Sequence, residues 1–126
     1  LIYYLQTNHF RRKSQYLALT FRPHGDSVQM KTIEPIIIGS NNIYFGAAIF
    51  QIKKFNDQHF IKPPNRLILR YSSNVTSSIR SGSNNLEIFI DRLGPMRSNL
   101  KNNYVDYGPT LSTDILIFKR GKWLIK

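Results

Sequence analysis

The sequence predicts a mainly β protein: a single-domain antiparallel β-sandwich or partly open barrel of about seven to nine short strands, with at most one short N-terminal helix. Apolar and polar residues alternate along several runs, which is the period of a strand with one buried face. Aromatic residues make up 13% of the chain, and aromatic side chains suit a pleated, half-buried surface. Turn residues recur at intervals of about 8–12 residues, which favours a sandwich of short strands.

The first third of the chain contains two clear strand patterns. Residues 1–13 fit either a strand or a short amphipathic helix, because their apolar run is short. Residues 14–22 and 27–33 alternate between apolar and polar side chains, so both are predicted strands. The segment between them, Pro23-His24-Gly25-Asp26, has the composition of a turn. Pro35 is expected to interrupt the second strand, since proline lacks the amide N–H that a ladder requires.

The middle of the chain carries the longest apolar stretch, residues 43–55. A helix competes with a strand there, and the dominance of β-branched and aromatic residues favours the strand. Residues 66–71 and 86–93 are further predicted strands. Between them, residues 72–85 are rich in Ser, Asn and Gly, which predicts a loop or a weak edge strand.

The last third begins with a long polar segment and ends with a predicted hairpin. Residues 96–109 are mostly polar, with Tyr104 and Tyr107 as the expected apolar anchors. Residues 115–125 form two apolar runs around a basic turn, which is the pattern of a hairpin. Because arginine disfavours a positive φ, the turn at Arg120-Gly121 is expected to be type I with a glycine bulge.

Composition limits the chain to one domain and to a few classes of partner. The 126 residues fit one domain, residues 1–126, and the hydrophobic content of 41% is a globular value. Eighteen Lys and Arg residues oppose seven Asp and Glu, which gives a net charge of +11. A surface with this imbalance repels itself, so the expected partner is a polyanion. The chain has no Cys, which excludes disulfides, thiol nucleophiles and thiolate metal sites.

No pattern in the sequence predicts an active site, a metal site or a bound cofactor. The three His residues lack the spacing of a helical zinc site. His24-Gly25-Asp26 places an imidazole near a carboxylate, but the triplet is interpreted as a turn. Glu87 and Asp91 would lie about 13 Å apart on one strand, too far for the carboxylate pair of a glycosidase. The chain is therefore predicted to be non-enzymatic.

The densest groups of cations lie near the two ends of the chain. The predicted polyanion-binding residues are Arg11, Arg12, Lys13, Lys119, Arg120, Lys122 and Lys126. The first group adjoins Phe10 and the second adjoins Trp123, and nucleic-acid sites often combine cations with stacking aromatics. Trp123 is nonetheless expected to be a core residue, because large aromatic side chains mostly pack.

These observations leave three functions open. The leading interpretation is a binding or assembly protein that contacts nucleic acid within a larger particle, such as a ribosomal, capsid or nucleoprotein component. Such a protein would be intracellular or particle-associated and would have protein partners as well. The first alternative is an extracytoplasmic domain of a membrane-anchored secretion or envelope assembly, with a membrane anchor expected upstream of Leu1 and residues 1–13 as an anchor stub or an N-terminal arm. The second is a small carbohydrate-binding or carbohydrate-active sandwich, which rests on analogy between folds.

Overall fold

The computed structural model describes residues 1–11, 13–23, 25–82, 84–96 and 103–126. Within these ranges the chain forms eleven strands and one 3₁₀ turn, at Tyr104–Asp106. The strands are β1 Ile2–Phe10, β2 Lys13–Pro23, β3 Val28–Ile38, β4 Ile43–Phe45, β5 Lys54–Phe55, β6 Gln58–His59, β7 Leu67–Ser72, β8 Ile79–Ser81, β9 Glu87–Pro95, β10 Tyr107–Lys119 and β11 Lys122–Ile125. No helix in the described part of the chain is long and apolar enough to cross a membrane.

Two antiparallel sheets form the body of the fold. In the five-stranded sheet the order is β1-β2-β3-β4, and β7 also pairs with β3. In the four-stranded sheet the order is β11-β10-β9-β8. Strands β5 and β6 form a separate small hairpin. The prediction of a mainly β fold with antiparallel sheets is confirmed, and neither sheet closes into a barrel.

The core lies between the two sheets and is built from the apolar side of the alternating strands. The five-stranded sheet contributes Leu17, Leu19, Ile33, Leu67, Leu69 and Tyr71. The four-stranded sheet contributes Ile79, Ile88, Ile90, Leu93, Tyr107, Leu116 and Trp123. A slip of one residue in either sheet would turn these side chains towards solvent, so their burial fixes the strand register.

The N-terminal segment forms a strand, one of its two expected structures, whereas β3 differs from the expectation at Pro35. β1 pairs with β2 from Ile2 to Phe10, so the short N-terminal helix allowed by the sequence does not form in the described residues. The expected interruption at Pro35 is wrong, because β3 continues through it. β3 pairs with β7 over residues 28–33 and with β4 over residues 36–38. Pro35 therefore lies between the part of β3 that pairs with β7 and the part that pairs with β4. Its missing N–H removes no hydrogen bond from either ladder.

The segment after β4 packs into the core without being a strand, so the prediction of a strand across residues 43–55 is wrong. Only Ile43–Phe45 and Lys54–Phe55 pair as strands. Gly46 ends β4 with φ +95°, a conformation that favours glycine. The side chains that the segment buries are Ile49, Phe50, Ile52 and Phe55. The apolar composition of residues 43–55 thus reflects burial of side chains, which an irregular backbone can achieve as well as a strand.

Strand β1 is held against the four-stranded sheet largely by polar side chains. Gln6 and Asn8 are buried, and both donate a side-chain hydrogen bond to the backbone oxygen of Asn85. Gln6 also donates to Asn8 at 2.7 Å and accepts from the hydroxyl of Ser81 at 2.7 Å. Because these buried groups find partners, the network joins β1 to the four-stranded sheet without leaving them unsatisfied.

The polar segments near the C-terminal half contain short ordered elements. Strand β8 lies at the edge of the four-stranded sheet. A weak edge strand was one of the two structures expected for residues 72–85. Tyr107 is buried and Tyr104 packs against the core, so both expected anchors are confirmed. Residues 97–102 lie outside the described residues.

Candidate polyanion-binding cleft

The β10–β11 hairpin ends in a two-residue turn. Lys119 pairs with Lys122, so only Arg120 and Gly121 form the loop. Arg120 has φ 52° and Gly121 has φ 80°. Two positive φ values define a type I′ turn, so the predicted type I turn with a bulge is wrong. The length of the loop decides the geometry, because a primed turn matches the twist of the flanking strands whereas a type I turn splays them.

The β1–β2 hairpin has the same loop length. Phe10 pairs with Lys13, and the first loop residue, Arg11, has φ 59°. The guanidinium carbon of Arg11 lies 5.2 Å from the centroid of the Phe10 ring, a cation–π contact that holds the charge at the tip. Arg12 lies outside the described residues, and only the backbone of Lys13 is described. Both hairpins therefore carry an arginine in the left-handed region at the first position of the turn.

The tips of these two hairpins contact each other, although 106 residues separate the contacting positions. Gln15, in β2, donates its side-chain Nε2 to the backbone oxygen of Gly121. A Cβ atom on Gly121 would lie 2.9 Å from Cδ1 of Phe10, so the ring packs directly on the glycine. The structure thus brings the two basic groups, from opposite ends of the sequence, to one end of the sandwich.

An open cleft of about 770 Å³ lies between these tips and the end of β3. Its lining includes Phe10, Tyr16, Ile37, Ile38, Arg120 and Lys122. The cations belong to the β10–β11 tip, whereas the aromatic and aliphatic residues belong to the five-stranded sheet. Lys122 donates Nζ to the backbone oxygen of Ala48 at 3.4 Å, which holds its ammonium group beside the chain that leaves β4.

The cations of this region have no carboxylate partner in the described residues. The lining of the cleft contains neither Asp nor Glu among those residues. Within the described ranges, the ion pairs join Arg66 to Glu34 at 2.7 Å and Arg92 to Asp114 at 2.6 Å. The exposed or half-buried cations at the two tips are Arg11, Lys119, Arg120 and Lys122. Their mutual repulsion raises the free energy of the unbound protein, and a bound polyanion would relieve it.

Two residues singled out in the sequence lie away from the cleft. Lys126 follows the far end of β11, about 13 Å along the strand from Lys122. Trp123 is fully buried, with its ring centroid 5.1 Å from that of Phe118. The expectation that Trp123 is a core residue is confirmed, and its burial leaves no ring face for a nucleic-acid base.

The apolar wall of the cleft was missed in the sequence, although a signal for it exists. Ile37 and Ile38 belong to a run of three isoleucines that ends at a Gly-Ser-Asn-Asn turn. Successive strand residues point to opposite faces, so a run of three cannot all face one core. A consecutive apolar run at the end of a hairpin therefore predicts an exposed apolar surface.

A second basic groove, of about 480 Å³, lies on the outer face of the five-stranded sheet and was also missed. Arg22 and Arg70 pair with Met30 from the two neighbouring strands and line the groove. Arg66, in the same groove, is neutralised by Glu34. Arg22 lies in β2 and Arg70 lies in β7, so no dense cationic run in the sequence marks the groove.

The groups with shifted pKa values lie outside the cleft and have structural causes. Burial, together with the charge of Tyr71, raises the pKa of Tyr3 to about 12. The hydroxyl of Tyr3 donates to the backbone oxygen of Ile79 at 3.1 Å. Burial also lowers the pKa of Lys31, whose ammonium donates to the backbone oxygen of Ser77 at 2.6 Å. Both side chains tie the five-stranded sheet to the chain around β8.

The described residues contain no cluster of side chains that could hold a metal ion. His24 lies outside the described residues, and Gly25 has φ 86°, as a turn at this position allows. No known family, curated protein or solved structure matches the chain.

Proposed function

We propose that this chain is a non-enzymatic nucleic-acid-binding module that acts within a larger assembly. The observation that carries the proposal is the meeting of two basic hairpin tips at a cleft whose described lining has no carboxylate. Phosphates along a nucleic acid neutralise several such cations at once and release condensed counterions, which favours binding. The net charge of +11 adds attraction at longer range.

The backbone of both turns supports a binding role for their arginines. Arg11 and Arg120 hold φ values of 59° and 52°, and a residue with a side chain pays about 1 kcal/mol for this conformation. Asn or Gly occupies such positions at lower cost in two-residue hairpin loops. Backbone strain that is retained at two equivalent tips, each with an arginine, is typical of functional sites.

Exposed apolar side chains on strand β1 support the presence of protein partners. β1 is an edge strand of the five-stranded sheet. Ile2, Tyr4 and Leu5 are exposed on it, and residues 2–8 contain no charged side chain that would discourage pairing with another chain. An edge of this kind fits a partner strand within an assembly.

The test compares two variants that each remove three positive charges from different segments of the chain. The first replaces Lys119, Arg120 and Lys122 with Ser. The second replaces three exposed lysines, Lys53, Lys54 and Lys62, with Ser; Lys54 lines a different cavity beside Ile125. Binding of a fluorescent oligonucleotide is measured by anisotropy over a series of salt concentrations.

The cleft variant should bind more weakly, and the slope of log K against log salt should flatten by about 0.7–0.9 for each phosphate that the protein no longer neutralises. The control variant should keep most of the slope. Equal reductions in the two variants would show that binding depends on net charge alone. An unchanged affinity and slope in the cleft variant would overturn the nucleic-acid role of these cations.

A further inference from the structure

The β3–β4 hairpin presents apolar side chains to solvent beside the cleft. Tyr44 is 54% exposed and Phe45 is 60% exposed. Tyr44 pairs with Ile37, which lines the cleft, whereas Phe45 pairs with Ile36, which does not. Ile37 lies on the same face of β3 as the core residue Ile33, so Tyr44 lies on the inner face of the sheet beside the cleft. Phe45 and Ile36 lie on the outer face, from which Ile38, at the end of β3, borders the cleft.

Asn42 orients the ring of Tyr44, and the chain that follows Tyr44 contacts a cation of the cleft. Asn42 donates its side-chain Nδ2 to the hydroxyl of Tyr44 at 3.0 Å. Four residues after Tyr44, the backbone oxygen of Ala48 accepts from Nζ of Lys122 at 3.4 Å. An exposed aromatic face and an ammonium group without a carboxylate partner in the described residues thus adjoin the same cleft.

We infer that the nucleic acid bound at this cleft is single-stranded, with a base stacked on the ring of Tyr44 and neighbouring phosphates on Arg120 and Lys122. This inference rests on the proposed function and specifies its substrate. A nucleotide joins an anionic phosphate to an apolar ring face, and the cleft has the same division between its two walls. In a duplex the base faces stack on one another, so only an unpaired strand offers them to a protein ring.

The other aromatic residues near the cleft are less suited to this role. Arg11 covers the ring of Phe10, and the same ring packs on Gly121. Trp123 is fully buried in the core. Tyr16 lines the cleft but is half-buried and pairs with Ile36, on the outer face of the sheet. Tyr44 is the more exposed ring and lies on the inner face.

The turn of the hairpin argues against a lipid bilayer as the occupant. Residues 39–42, Gly-Ser-Asn-Asn, join β3 to β4 and are exposed. Insertion of the hairpin into hydrocarbon would bury these polar groups before the apolar side chains behind them, and unsatisfied polar groups are strongly disfavoured there. A nucleic acid that lies along the cleft leaves the turn in water.

The test uses Tyr44→Leu, which removes the ring and keeps an apolar side chain, with Phe45→Leu as the matched control on the opposite face. The probes are a single-stranded oligonucleotide of about 12 nucleotides, an abasic strand with the same number of phosphates, the matching duplex, and vesicles that contain phosphatidylserine. Binding is measured at one salt concentration for all probes. Thermal unfolding establishes that both variants are folded.

Tyr44→Leu should weaken binding of the single strand about tenfold, because one base no longer stacks on the protein, and should leave binding of the abasic strand unchanged. Phe45→Leu should bind all probes as the unsubstituted protein does, and the single strand should bind more tightly than the duplex. If Tyr44→Leu has no effect while replacement of Lys119, Arg120 and Lys122 still weakens binding, stacking is refuted and the proposed function stands. If no nucleic-acid probe binds in a salt-dependent manner, the proposed function itself fails. Equal weakening in the two Leu variants, or a Tyr44-dependent preference for the vesicles, would also overturn the inference.

Discussion

Replacement of Arg120 by Asn should stabilise the protein and weaken its binding at the same time. Arg120 holds φ 52° as the first residue of a type I′ turn, a conformation that costs about 1 kcal/mol for most residues. Asn tolerates this region, and Asn-Gly is the preferred pair for such a turn. Arg120→Asn should therefore recover a large part of that cost, about 0.5–1 kcal/mol.

The size of the effect on thermal stability follows from the length of the chain. An entropy of unfolding of about 2.1 cal/mol/K per residue gives about 0.26 kcal/mol/K for 126 residues. A gain of about 0.5–1 kcal/mol then raises Tm by about 2–4 °C. Removal of the guanidinium charge should lower the affinity for an oligonucleotide and flatten the salt slope by about 0.7–0.9, since one phosphate is no longer neutralised.

Arg120→Gln is the matched control because it removes the same charge without the preference of Asn for a positive φ. Both variants relieve repulsion among the tip cations, so the difference in Tm between them isolates the backbone contribution. The measurements are differential scanning fluorimetry and oligonucleotide anisotropy in the same buffer. If the Asn and Gln variants have equal Tm values, the strain argument is refuted. If both bind as tightly as the unsubstituted protein, Arg120 has no part in binding.

Two further predictions concern the scaffold. Trp123→Ala should lower the free energy of unfolding by about 3–5 kcal/mol, because it empties a fully buried site; a cost near zero in urea denaturation would contradict the core assignment. Tyr3 has a pKa of about 12 in the folded state against 10.0 ordinarily, so the unfolded state ionises first and stability falls as pH rises from about 10 towards about 12. Tyr3→Phe should remove this part of the alkaline destabilisation. The measurement is urea denaturation of both proteins between about pH 8.5 and about pH 11.5. An identical pH dependence of the two free energies of unfolding would show that Tyr3 is not responsible.

The stability of the scaffold and the position of the cations are linked through Gly121. This residue accepts the Gln15 hydrogen bond, contacts the Phe10 ring and holds φ 80°. The β10–β11 turn is thus fixed against the β1–β2 tip before any ligand binds. A preformed arrangement of this kind reduces the ordering cost of association.

The sequence by itself determined the class of the fold and the position of its main strands. Residues 14–22 and 86–93 alternate; the first segment lies in β2 and all of the second but Leu86 lies in β9, and the apolar side of each strand faces the core. The period of two is readable because burial of one face constrains every second residue. The sequence also determined that Trp123 is buried and that residues 115–125 form a hairpin, since both follow from local composition.

Only the tertiary structure decided where the cations meet and what lies beside them. The contact between Gln15 and Gly121 joins positions 106 residues apart, and no local pattern encodes a contact of that range. The same holds for residues 46–53, which fill the core by an irregular path that periodicity does not describe. Local sequence determines which face of a strand is apolar, whereas the packing of the two sheets determines which hairpin tips share an end of the molecule. The cleft is a product of that packing, and so is the exposure of Tyr44 beside it.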